Sequence, residues 1–139
     1  MKNTIKIFAI LFLLINHGCK AQQMVQATKD LHLLKSNEQR FINKPLKNLL
    51  KEVKPEIKNV LGTIGDPSYF AFNFISRDEI KRKVIGRKHI SLYVYVKEPL
   101  DWNFNKRPQG KEYLWSKEDV EKYGNLTVIH IKVIERIED

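Results

Sequence analysis

Three stretches of this chain alternate between two kinds of side chain with a period of two, the period of a β-strand whose faces meet different surroundings. In residues 69–76, Phe70, Phe72 and Phe74 share one face, and Ala71, Asn73 and Ile75 the other. In residues 90–96, Ile90, Leu92, Val94 and Val96 oppose Ser91, Tyr93 and Tyr95. In residues 126–137, Ile129, Ile131 and Val133 alternate with Val128, His130 and Lys132. Alternation of this kind belongs to antiparallel sheets, because parallel strands are covered on both faces and read as unbroken apolar runs.

A period near 3.6 takes over elsewhere. Leu46, Leu49, Leu50 and Val53 fall at i, i+3, i+4 and i+7, behind a proline, Pro45, that suits a first helical turn. Pro55 disfavours helical backbone at Lys54 and ends this helix near there. Ile57, Val60 and Leu61 fit either a second short helix or a strand. Ser116 with Asp119 forms a capping box for a short helix over residues 117–123, with Gly124 at its end. Ser36 with Gln39 has the same spacing and predicts a helical turn beginning there. The expectation is an α+β domain over residues 36–139: a small antiparallel sheet of three to four strands, with the main helix, 46–53, packed on one face and a second short helix.

The first residues have another character. Lys2 and Lys6 precede the apolar run of residues 7–15, which is too short to span a bilayer core of about 30 Å as a helix. Asn16, His17, Gly18 and Cys19 follow, then polar residues 20–23. Cys19 is the chain's only cysteine, so an exported form has no internal disulfide to make with it. The Gly18-Cys19 junction resembles the lipobox of bacterial lipoproteins. That resemblance implies cleavage after residue 18, acylation of Cys19, and residues 19–35 as a tether to the domain. Lys20 stands where an aspartate retains many such proteins at the inner membrane, which implies the outer membrane. Cleavage after Ala21, discarding Cys19, and an uncleaved anchor are the alternatives.

The formal net charge of +9 directs such a protein toward anionic envelope surfaces such as lipid headgroups or lipopolysaccharide phosphates, or toward another envelope protein. Nucleic acid is not an expected partner in that compartment. A lysine-rich surface also simply keeps a domain soluble.

No catalytic constellation stands out. His32, His89 and His130 are far apart, none in a zinc-binding spacing, and there is no nucleophile elbow, P-loop or defensible carboxylate pair. The expectation is a non-enzyme without metal or cofactor. Two segments carry binding potential. Lys81, Arg82, Lys83, Arg87 and Lys88 form a dense basic stretch that suits an anionic partner, or else guards a sheet edge. Trp102, Phe104, Arg107, Tyr113 and Trp115 lie on the long connection 97–115 and suit a contact loop, unless the indoles fold inward to staple it. Size, anchor and α+β make-up are similar to those of small envelope lipoproteins that support outer-membrane assembly, a likeness that transfers no functional residue. The expected function is therefore a lipid-anchored, macromolecule-binding envelope module. The alternative is a periplasmic immunity-type inhibitor of a toxin or lytic enzyme.

Overall fold

The alternating stretches become neighbouring strands. The computed structural model describes residues 22–139, so the leader and Cys19 lie outside the described residues. Strands β1 (Asn59–Thr63), β2 (Ser68–Asn73), β3 (Lys88–Val96) and β4 (Val128–Ile137) form one antiparallel sheet in the order β1-β2-β3-β4. The helices are short: α1 (His32–Ser36), α2 (Leu46–Leu50), α3 (Arg77–Lys81) and α4 (Lys117–Tyr123). The fold is α+β, as the patterning predicts.

Register sets one face against the core. Val60 lies opposite Phe72, Phe72 opposite Leu92, and Phe70 opposite Val94, which faces Ile131. All of these are fully buried, as are Leu46 and Leu49 of α2, which join the same core. The expected main helix is present but shorter. Pro45 has extended backbone and caps α2, and the chain leaves the helix at Lys51.

The segment expected to be a tether is, over residues 24–35, part of the domain. Val25 bridges Val53: its N–H donates to the Glu52 carbonyl at 2.9 Å, and the Lys54 N–H donates to its carbonyl at 2.9 Å. Leu31 and Leu34, three apart on one helical face, are fully buried with Val25. A helix also ends at Ser36 where one was expected to begin. The Ser36 hydroxyl donates back to the His32 carbonyl at 3.1 Å and Asn37 Nδ2 to the Leu33 carbonyl at 2.8 Å, which closes α1; the expected turn follows directly as a 3-10 turn, Glu38–Arg40, entered from Asn37 and not from Ser36.

Two further differences matter for the surface. The charged segment between β2 and β3 opens with a helix that the patterning leaves unmarked, α3, capped reciprocally by Ser76 and Glu79. In β4 the register shifts opposite Tyr95 and Val96, so Val128 turns inward opposite Val96 and is fully buried, not on the face of His130.

Both edges of the sheet are occupied. On the β4 side, the Ile131 N–H donates to Glu38 Oε1 at 2.8 Å and the Asn43 N–H to the Val128 carbonyl at 2.8 Å. On the β1 side, the Val60 N–H donates to the Tyr113 carbonyl at 2.8 Å. These contacts cover part of each edge and reduce the pairing hazard there.

Candidate functional site

The long connection after β3 does not present its indoles. Trp102 is 5 % exposed and meets Phe70 edge-on, ring centroids 5.6 Å apart. Trp115 is half-buried and stands edge-on to both Phe70 (5.4 Å) and Phe72 (5.2 Å). Gly62 permits this approach, since a Cβ there would lie 2.5 Å from Trp102 Cγ. The expectation of an exposed contact loop is thus corrected: Trp102 and Trp115 belong to the core and its margin.

Arg107 is a pin rather than a contact residue. Its guanidinium lies 3.8 Å over the Trp102 ring and forks onto Asp119, Nη1 to Oδ1 at 2.9 Å and Nη2 to Oδ2 at 2.8 Å. Nε donates to the Glu112 carbonyl at 2.8 Å and Nη2 to the Leu114 carbonyl at 2.7 Å. Burial alone would raise the Asp119 carboxyl, but donation from Arg107 and Ser116 outweighs it and holds the carboxyl below its ordinary value. Phe104 and Tyr113 pack on each other at 5.0 Å, with Arg77 4.0 Å over the Tyr113 ring. A groove of about 790 Å³ runs between this loop and α4. Four of its charges pair with each other: Lys122 meets Asp101 at 2.8 Å, beside the Arg107–Asp119 fork, while Lys106 and Glu118 also line it. Among the described residues no cluster of His, Cys, Asp and Glu could hold a metal ion.

The basic segment divides in two. Arg87 is half-buried, with Nη2 2.8 Å from Glu138 Oε1, and it also donates to the Glu79 carbonyl. Lys88 pairs with Glu135 at 3.1 Å. Only Lys81, Arg82 and Lys83 stay exposed and free of ion pairs among the described residues, so the expected five-cation patch is a three-cation one. It occupies the connection between β2 and β3, the two central strands, which excludes edge protection as its purpose.

Beside these cations stand two apolar residues that charge reading passes over. Val84 is 51 % exposed and Ile85 85 %, and Ile137, paired with Lys88 across the strands, is also exposed. The apex is nonetheless tied down. Gly86 takes a positive φ of 82° to make the turn. Glu138 holds it on both sides: the Val84 N–H donates to Glu138 Oε2 at 2.7 Å, the Gly86 N–H to the Glu138 carbonyl at 2.9 Å, and the Glu138 N–H to the Arg87 carbonyl at 3.0 Å. The Glu138 carboxyl is held below its ordinary value, first by Arg87. Two β-branched residues before a glycine, directly after three cations, are the signal that could have marked this apex in the sequence.

The entering chain reaches the same end of the sheet. Thr28 and Lys29 line one shallow cavity of about 320 Å³ with Ile75, Lys88, His89 and Glu135.

Compared with known proteins, the chain matches no family model, no curated protein and no solved structure.

Proposed function

We propose that this chain is a lipid-anchored cell-envelope protein, held at the outer membrane through Cys19, whose domain docks on an anionic lipid surface with the apex 81–85. The observation that carries this reading is the composition of the apex: three unpaired cations and two exposed aliphatic residues on one turn, fixed from behind by Glu138. Cations gain about 1 kcal/mol each near an anionic leaflet, and exposed aliphatic side chains gain by leaving water at the headgroup boundary. The position of the anchor agrees with it. Val25 is already in the core, so only the five residues 20–24 separate it from Cys19, a reach of about 20 Å at full extension. A domain held that closely rests against the bilayer, and the end where its chain enters also carries the apex.

Two measurements test the reading. Residues 22–139 without acyl groups should sediment with vesicles containing phosphatidylglycerol and release them as salt rises, since the Debye length falls from about 10 Å at 0.1 M to about 3 Å at 1 M. Reversal at two positions, Lys81→Glu with Lys83→Glu, should weaken binding by at least about thirtyfold without lowering stability, because exposed charges contribute only about 0–1 kcal/mol to folding. Ile85→Asp should weaken it independently. Retention of wild-type binding by both variants would refute the apex as the docking element. For the anchor, Cys19→Ala in the full chain should release the domain from membranes or stall its processing, since stable anchoring takes more than one acyl chain. A variant that is cleaved normally and stays membrane-bound would refute acylation at Cys19.

A further inference from the structure

The face of the sheet turned away from the core carries half-buried tyrosines toward one end and is closed toward the other, where Asn59 and Ser91 are buried. By register it carries four cross-strand rows: Thr63, Tyr69, Tyr95 and His130; Leu61, Ala71, Tyr93 and Lys132; Asn59, Asn73, Ser91 and Ile134; and His89 with Arg136. The third row is closed on itself by hydrogen bonds. Ser91 Oγ donates to Asn73 Oδ1, Asn73 Nδ2 donates to Asn59 Oδ1 at 3.1 Å, and Asn59 Nδ2 donates to the Ile75 carbonyl at 2.7 Å. That ladder stiffens the three strands under the first two rows.

The first two rows hold an aromatic platform. The Tyr69 ring lies 5.0 Å from Tyr95 and 5.7 Å from Tyr93, both tilted, and Tyr95 lies 5.4 Å from the His130 ring. Ala71 is the small residue between Tyr69 and Tyr93 in the adjoining row, 7 % exposed under the rings. Lys132 and Arg136 stand exposed along the β4 side, with Arg136 Nη2 3.4 Å from the Tyr93 hydroxyl. None of the four strands places a carboxylate on this face. Glu38 reaches only its margin, at His130 Nδ1 (2.9 Å).

We propose that this face is a binding platform for an acidic polysaccharide, with Tyr69, Tyr93 and Tyr95 packing against sugar rings and Lys132 and Arg136 receiving its carboxylates. Sugar rings offer apolar C–H faces of slight positive potential, which complement the negative faces of phenol rings. Phenol hydroxyls at the same positions suit a hydroxyl-rich ligand. The charge density selects the polymer. Four strands about 4.8 Å apart give a face about 14 Å wide. A nucleic-acid strand carries a charge about every 3.4 Å and would bring about four phosphates across it. The face has two exposed cations, Lys132 and Arg136, both on one side, too few for four phosphates and nearer to the sparser carboxylates, at most one per sugar ring, of an acidic polysaccharide. The platform is separate from the apex 81–85, and the inference goes beyond the docking reading.

The test is electrophoresis of the full chain in non-ionic detergent through gels containing polygalacturonate or neutral dextran. Polygalacturonate should retard it and dextran should not, and the retardation should weaken in salt. Tyr69→Ala with Tyr95→Ala should lower the apparent affinity about tenfold or more, the usual scale for a pair of aromatic anchors. Tyr95→Phe should keep it. Lys132→Gln with Arg136→Gln changes only exposed residues, and should remove the preference for the acidic polymer even where the tyrosine variant does not fold. Lys81→Glu with Lys83→Glu should leave the effect of Tyr69→Ala and Tyr95→Ala intact, which separates failure of this platform from failure of the apex. Equal retardation by dextran, full retention by the Lys132 and Arg136 variant, or tighter binding of oligothymidylate than of polygalacturonate would overturn the proposal.

Discussion

A chain beginning at Ser36 is expected to lose its cooperative unfolding transition, whereas one beginning at Gln22 should keep it. The difference is a strap that contributes three fully buried side chains, Val25, Leu31 and Leu34. Burying one such side chain contributes about 1.5–3 kcal/mol, so their removal forfeits about 5–9 kcal/mol. The whole stability of a natural domain is about 5–15 kcal/mol. The loss extends beyond area. Without the strap, the Val25–Val53 bridge disappears, and Ile90 and Val133, which pack at the margin of the same core, lose cover. Circular dichroism through a urea titration of the two forms decides the matter. A Ser36 form that unfolds cooperatively at nearly the same urea midpoint as the Gln22 form would show that the strap is an accessory. The same observation bears on the proposed function, because a strap folded into the core leaves only a short link to the proposed anchor at Cys19.

What could be read from the sequence was what local pattern determines. Strands β2, β3 and β4 announce themselves because a period of two needs no knowledge of partners, and α4 because its capping box is complete within four residues. The Ser116–Asp119 box closes as the spacing implies. The Ser76–Glu79 box is equally local and was hidden only by the charged run that follows it. The strap reads as a tether, with Leu31, Leu33 and Leu34 a small apolar cluster, because its early part is mostly polar and Val25 meets a partner 28 positions away. The direction of the aromatic loop was illegible for the same reason. Whether Trp102 faces water or core depends on the gap at Gly62 and on the fork between Arg107 and Asp119, and neither pairing leaves a mark in composition. In the basic segment, Arg87 and Lys88 are neutralised by Glu138 and Glu135, carboxylates about fifty positions downstream. Counting cations along the chain therefore overstated the patch, and attention to charge understated Val84 and Ile85.

The second large effect is expected at Arg107. Replacing it with alanine leaves the Asp119 carboxylate buried without its cation and the Glu112 and Leu114 carbonyls without their donor. Removing one partner of a buried pair costs about 3–5 kcal/mol. Arg107→Lys should recover little, because a single ammonium cannot fork onto a carboxylate, reach two carbonyls and lie flat on an indole at once. Acid should discriminate this account from a loss of packing. In the wild type the folded-state carboxyl of Asp119 lies below its unfolded value. Its contribution is therefore complete above the ordinary carboxylate range, near pH 4, and is lost as pH falls through the lower folded value. Without Arg107, burial acts on the same carboxyl against the Ser116 donors alone, so its value rises relative to the wild type and protonation costs the variant less than it costs the wild type. The stability gap between wild type and Arg107→Ala should consequently be wide at pH 7 and narrow at about pH 2.5, below the ordinary carboxylate range, as read from urea midpoints, with tryptophan emission shifting to the red as the loop loosens. A gap unchanged between the two pH values would mean that Arg107 holds the loop by packing on Trp102 and not through Asp119.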